Sequence, residues 1–114
     1  MSDCLFCKIV KNQLPATKVF EDEHTVAFKD IHPQAPVHIL VIPKEHISAI
    51  HEISSEKSGM LSHFLSTVTA VVKKNGLDAK GYRLVINSGE KAGQSVPHLH
   101  VHILSGRDLH WPPG

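Results

Sequence analysis

Residues 98–102 read HLHVH, which sets three histidines on alternate positions with aliphatic residues between them. An imidazole can act as a nucleophile, pass a proton near neutral pH, or hold a metal. Which of these is open depends on whether the rings share a face. In an extended strand successive side chains point to opposite faces. His98, His100 and His102 then share one face at roughly 7 Å spacing, close enough for one small ligand to touch two or three rings. Leu99, Val101 and Ile103 fall on the other face and read as core. In a helix the same spacing turns each ring by about 200° from the last and disperses them. The β-branched Val101 and Ile103, and Gly106 at the end of the run, favour a strand.

Three readings fit this row. It could hold zinc with an open position, although adjacent strand positions rarely converge three rings on one ion. It could be a run of satisfied or exposed histidines with no chemistry. Or His100, the middle ring, could be a covalent nucleophile: with a pKa of about 6.5 it is mostly neutral near pH 7, and a neighbour that fixes its tautomer activates it. The preceding loop, SGEKAGQS, offers Gly89 and Gly93 for close backbone approach and the hydroxyl of Ser95. It lacks the G-K-[ST] ending of a P-loop, but it sets donors directly beside the candidate nucleophile. Displacement at phosphorus loads charge onto the non-bridging oxygens, so fixed donors matter more than added reactivity. A departing amine also needs a nearby proton donor.

Cys4 and Cys7 are the only cysteines and form C-x-x-C. In a reducing compartment that spacing suggests a metal site or a redox pair before a structural disulfide. It supplies half a zinc tetrahedron and needs two further ligands; a free dithiol is the alternative.

The elements that must position these residues can be read in outline. CLFCKIVKNQLP begins as a short amphipathic helix, with Phe6, Ile9 and Val10 on one side and Pro15 as its stop. TKVFEDEHTVAFKD reads as a hairpin in which Val26 and Phe28 alternate with polar residues. IHPQAP is a loop, and VHILVIP a central strand covered on both faces. A long helix follows, capped by Ser54 or Ser55 with Glu56 in its first turn. Its stripe is Met60, Leu61, Phe64, Leu65, Val68, Val71 and Val72, and Gly76 takes the C′ position. YRLVIN and HLHVHIL are the last strands. This is an α+β domain with a mainly antiparallel sheet of about five strands, one long helix and one short one, without a βαβ repeat.

Composition narrows the function classes. At 114 residues the chain suits a single domain spanning 1–114. Its 41% hydrophobic and 20% charged residues are ordinary for a soluble globular protein. A formal net charge of +1 with no basic stripe gives nucleic-acid binding no electrostatic footprint. No apolar run has signal-peptide or membrane-span length, so the expectation is a cytoplasmic protein without a membrane partner.

HLHVHIL matches the histidine-triad signature, His-φ-His-φ-His-φ-φ with φ apolar. The likeness extends through FCKIV, FKDIHPQAPVHILVIPKEHI, GYRLVINSG, GQSVPHLHVHILSGR and HWPPG, nearly the whole chain in register. The chain therefore resembles the Hint branch of the histidine triad (HIT) family. That resemblance implies a homodimer that hydrolyses purine nucleoside phosphoramidates and aminoacyl adenylates, with no cofactor for catalysis. It makes His100 the nucleophile, forming a nucleotidyl-histidine at the α-phosphorus. His102 contacts the phosphate oxygens, and His98 and His38 hold the proton network behind His100. Asn87, Gly93 and Ser95 hold the phosphate and the departing amine. Asp30 accepts from the ribose hydroxyls, while Phe6, Ile9, Leu14, Phe28 and Ile31 line a slot for the base. Trp111, in the tail 107–114, reaches the dimer partner's site. His46 and His98 are the ligands that would complete a structural zinc site with Cys4 and Cys7. Pro97 and His32 depart from residues common in relatives and lie at the expected pocket rim. A nucleotide-binding regulatory protein with incidental turnover uses the same pocket and is the alternative.

Overall fold

The nearly continuous apolar run VHILVIP becomes β3 (Val37–Pro43), the middle strand of a five-stranded antiparallel sheet. The computed structural model describes residues 3–114, so residues 1–2 of the expected domain lie outside the description. The other strands are β1 (Lys18–Glu21), β2 (Thr25–Lys29), β4 (Tyr82–Val85) and β5 (Val101–Ser105), in the order β1-β2-β3-β5-β4. Asp22 closes the β1–β2 hairpin: one carboxylate oxygen accepts from the backbone N–H groups of His24 and Thr25 at 2.8 Å each, the local bond that suits aspartate to turns.

Two layers cover the sheet. Helix α2 (Ser58–Lys74) lays Phe64, Val68, Val71 and Val72 on Ile39 and Val41 of β3 and on Leu99, Val101 and Ile103. Helix α1 (Leu5–Val10) lays Phe6, Cys7 and Ile9 on the other face, against Val26, Phe28, Leu40 and Ile42. Alternation along β3 and the last strand therefore sends aliphatic residues to α2 and imidazoles to the α1 side. Because β2 is covered on both faces, Thr25 through Phe28 are all buried, and the expected polar alternation there is absent.

Several boundaries differ from the sequence reading. α1 ends at Val10, with Lys11 as its C-cap and Asn12 in the left-handed region at φ 61°, well before Pro15. Neither Ser54 nor Ser55 caps α2: a 3-10 turn (Ser55–Lys57) intervenes, and Lys57 takes the N-cap position without a side-chain bond. Leu65 points outward, 44% exposed. Thr67 is buried instead and shares a 3.1 Å hydroxyl–hydroxyl bond with Thr25. Gly76 takes the left-handed turn after α2 as expected, but it leads into a further short helix, α3 (Leu77–Lys80). β5 starts at Val101, so His98 and His100 precede the ladder. The cause is register: Val41 pairs with Val101, which sets Pro43 opposite Leu99, and proline has no N–H to give.

Candidate functional site

The alternation brings the rings together. The centroids of His100 and His102 lie 4.9 Å apart, and those of His38 and His102 5.2 Å. His38 comes from the start of β3, where the loop 30–36 folds back on it: the N–H of Gln34 donates to His38 Nδ1 at 3.0 Å. That assigns the proton of neutral His38 to Nε2, which lies 2.9 Å from His102 Nδ1 and 3.4 Å from Asp30 Oδ2. With its Nδ1 accepting, neutral His102 carries its own proton on Nε2, a donor held in a fixed direction. Burial lowers the pKa of His38 against the pull of Asp30. Burial, reinforced by His100 and His38, lowers His102 to about 4.

His100 is oriented differently. Its Nδ1 lies 2.7 Å from the backbone carbonyl of His98, and only a protonated Nδ1 can donate there. The second nitrogen, Nε2, then keeps a free lone pair. The residue is 3% exposed, and burial depresses its pKa, so the neutral form is favoured. Phe6 of α1 stands perpendicular to it, centroids 5.0 Å apart.

His100 and His102, with His38 behind them, open onto a cleft of about 490 Å³, within the usual size of small-ligand pockets. Phe6, Ile9, Leu14, Phe28, Asp30, Ile31, Ser95, His100 and His102, all singled out from sequence, line it. Ile31 is 83% exposed and forms the rim rather than a buried wall. Leu5, Ala16, Leu40 and Val96 also line it and went unremarked in the sequence, as does Pro15, which was read only as a helix stop; apart from the alternation that puts Leu40 between His38 and Ile42, nothing in the sequence marks them as cleft residues. His32 is at the mouth, and its N–H donates to Asp30 Oδ1 at 2.8 Å.

Three expected residues lie elsewhere. Asn87 lines a separate groove with Arg83, Arg107 and the tail, which Arg83 ties down by donating to the His110 carbonyl at 2.8 Å. Gly93, at φ 94°, sits beside Asn87 rather than on the cleft wall. Trp111 is 81% exposed. The ring of His98 also stays out of the His38–His102 network; only its carbonyl reaches His100.

That ring joins a second cluster. His98 Nε2–H donates to the Pro43 carbonyl at 2.9 Å, which leaves Nδ1 unprotonated. Nδ1 lies 3.4 Å from Cys4 Sγ, 3.6 Å from Cys7 Sγ and 3.2 Å from His46 Nδ1, while Cys7 Sγ lies 3.3 Å from His46 Nδ1. Zn–S bonds of about 2.3 Å and Zn–N bonds of about 2.0–2.1 Å in a tetrahedron separate the donors by about 3.3–3.8 Å. The four donor atoms thus stand at nearly the spacing zinc requires, and both cysteines are free thiols. Burial and the neighbouring Cys4 sulfur raise the Cys7 thiol pKa, a cost a divalent cation would reverse. Among the described residues one other group, Asp30, His38 and His102, brings metal-competent atoms equally close; the tautomers assigned above account for it as a hydrogen-bond network.

Residues 11–109 match the HIT domain. A HIT-like protein of Synechococcus elongatus is 51% identical over 98% of this chain and 97% of its own. A 14 kDa zinc-binding protein of Zea mays is 45% identical over 99% of this chain and 89% of its own. The crystal structure of a HIT family hydrolase from Legionella pneumophila superposes with a TM-score of 0.94 at 47% identity, covering 98% of this chain and 100% of that one. With His100 and His102 facing one cleft and this agreement along nearly its full length, the chain belongs to the HIT domain family.

Proposed function

We propose that the chain is a Hint-type hydrolase that cleaves the P–N bond of purine nucleoside phosphoramidates and aminoacyl adenylates' P–O bond through a nucleotidyl intermediate on His100. One observation carries this reading: the Nδ1–H of His100 is committed to the His98 carbonyl, so the lone pair on Nε2 belongs to a ring that lines the cleft. The Legionella relative's description as a hydrolase supports turnover over binding alone.

The steps balance on these residues. The lone pair of His100 Nε2 forms a bond to the α-phosphorus. The P–N bond breaks, and its electron pair leaves with the amine, which takes a proton from solvent in the open cleft, one that the water of the second step returns; an aminoacyl carboxylate leaves without one. Water then attacks the same phosphorus, the P–Nε2 bond breaks, and a nucleoside monophosphate departs as His100 is restored. Holding His100 in one neutral tautomer removes the need to expel a proton before attack. The outward Nε2–H of His102, backed by His38, donates to the phosphate oxygens as charge builds on them. Ser95 stands at the cleft wall to hold the departing group. Asp30 keeps acceptor capacity for ribose hydroxyls, and Phe6, Ile9, Leu14 and Phe28 supply apolar walls for a base.

Two companion readings belong to the same proposal. Cys4, Cys7, His46 and His98 hold a structural zinc, which would tie α1 to the last strand and supply no reacting group; the Zea mays zinc-binding relative supports it. Two copies associate through β4, which lies at the end of the sheet and exposes Tyr82 and Leu84, with exposed Ile86 just beyond it. An edge strand with that much apolar surface is suited to pairing with another chain. The exposed Trp111 is then free to reach a partner's cleft.

The test is hydrolysis of a fluorogenic adenosine phosphoramidate by wild type, His100→Ala and His100→Asn. Turnover should fall by orders of magnitude in both variants while AMP still binds by calorimetry. Retained turnover removes His100 from the reaction.

A further inference from the structure

The thiol–imidazole cluster and the cleft meet in one residue, His98. We propose that Cys4, Cys7 and His46 act as positioning residues for the reaction: a metal held by them and by the His98 ring fixes the His98 carbonyl, and that carbonyl fixes the tautomer and direction of His100. The inference rests on His100 being the reacting ring.

The argument starts from what else could hold that carbonyl. β5 hydrogen bonding to β3 begins only at Val101, because Pro43 offers no N–H opposite Leu99. Residues 95–100 therefore reach the cleft without a β-ladder. Their backbone anchors are the His98 N–H to the Val96 carbonyl at 2.8 Å, which is local, and the Leu99 N–H to the Ile47 carbonyl at 2.6 Å. Leu99 packs into the core under α2, and the remaining polar anchor among the described residues is the His98 side chain. Its Nε2–H is fixed on Pro43, and its Nδ1 faces two thiols and His46 at 3.2–3.6 Å. Without a cation those contacts are weak bonds to sulfur and one imidazole pair. A divalent metal replaces them with bonds that fix ring and backbone together. Orientation of one group through a ligand's other polar atom is the usual action of outer partners at metal sites.

A second path leads to the same ring. Cys4 and Cys7 flank Phe6 on α1, and Phe6 stands against both His98 and His100, centroids 5.9 and 5.0 Å away. Fastening both cysteines holds this aromatic wall against the reacting imidazole. The cluster thereby braces His100 from its carbonyl side and from its face.

The experiment is ¹⁵N NMR of histidine-labelled protein at pH 8, made metal-free with a chelator and titrated with zinc alone, alongside phosphoramidate kinetics. At one equivalent the Nδ1 resonances of His98 and His46 should move to metal-bound positions. The His100 pattern should change in step, from an average of two tautomers to the single Nδ1–H form. kcat should rise about 10- to 100-fold, the range for an orienting partner, with little change in KM. If the metal-free chain unfolds, cadmium replaces it in the comparison: its longer bonds should shift the His100 resonances relative to the zinc form. Zinc bound at His98 with His100 spectrally indifferent to zinc or cadmium overturns the coupling, as does absence of ligation at His98. Absence of turnover in every state counts against the hydrolase reading alone, since the spectra report the coupling independently.

Discussion

His100 and His102 share a face but are prepared for opposite tasks by their hydrogen-bond partners. The Nδ1–H of His100 donates to a carbonyl, which leaves a lone pair on Nε2; His102 Nδ1 accepts from the Nε2–H of His38, which leaves an N–H on His102 Nε2. The alternation that unites the rings was plain in HLHVH. Their division of labour was not, because it depends on the His98 carbonyl and on the His38 ring, whose tautomer the Gln34 N–H sets. The same holds for His98, whose ring was expected both behind His100 and on a metal; only the second position agrees with where Nδ1 points. A pH prediction belongs at this scale. His102 has its pKa lowered to about 4, against about 6.5 in an unfolded chain. Above about pH 6.5 both states are neutral and its contribution to stability is whole. As pH falls toward 4 the unfolded state takes up the proton first, and stability is lost. Melting temperature should therefore drop between pH 7 and pH 5, and His102→Asn should flatten that slope. An equal slope in the variant contradicts the assignment.

Among the elements, the number of strands, the mainly antiparallel sheet and the central place of VHILVIP were legible because the apolar runs are strong and well punctuated; the order of the strands was not. The helix stripe was legible except at one step: Leu65 is at a plausible position, but the face that meets the sheet is centred on Phe64, Val68 and Val71, and Thr67 with its Thr25 partner fills the place beside them. Phe64→Ala should cost about 3–5 kcal/mol in urea unfolding, and Leu65→Ala no more than about 0.5 kcal/mol; comparable costs would mean that the helix is turned. The exit of β5 carries a second constraint. Gly106 has φ 98°, and a Cβ there would lie 2.8 Å from Pro36 Cβ. Gly106→Ala should therefore destabilise more than Gly76→Ala, which meets no neighbour although its φ is also positive. Pro36 sits in the loop that supplies Asp30 and the Gln34 N–H to His38, so Gly106→Ala should also raise KM for nucleotide. This proximity of residues 36 and 106 could not be read from the chain.

At the scale of the molecule, the sheet divides the labour between its faces. The α2 face is aliphatic and makes the larger core; the α1 face carries imidazoles, thiols and the cleft. The exposed residues of β4 are the unfinished part of this arrangement. Light scattering should find a dimer, and Leu84→Lys should give a monomer with altered substrate preference, since Trp111 then loses its route to a partner's cleft. A wild-type monomer at micromolar concentration would contradict the pairing. The most direct measurement of all is rapid quench of a phosphoramidate turnover, followed by peptide mass spectrometry. A transient mass increase of one nucleoside monophosphoryl group should appear on His100, and none in His100→Asn. Full turnover with the group trapped on another residue, or never trapped under conditions that preserve phosphohistidine, would contradict attack by this ring.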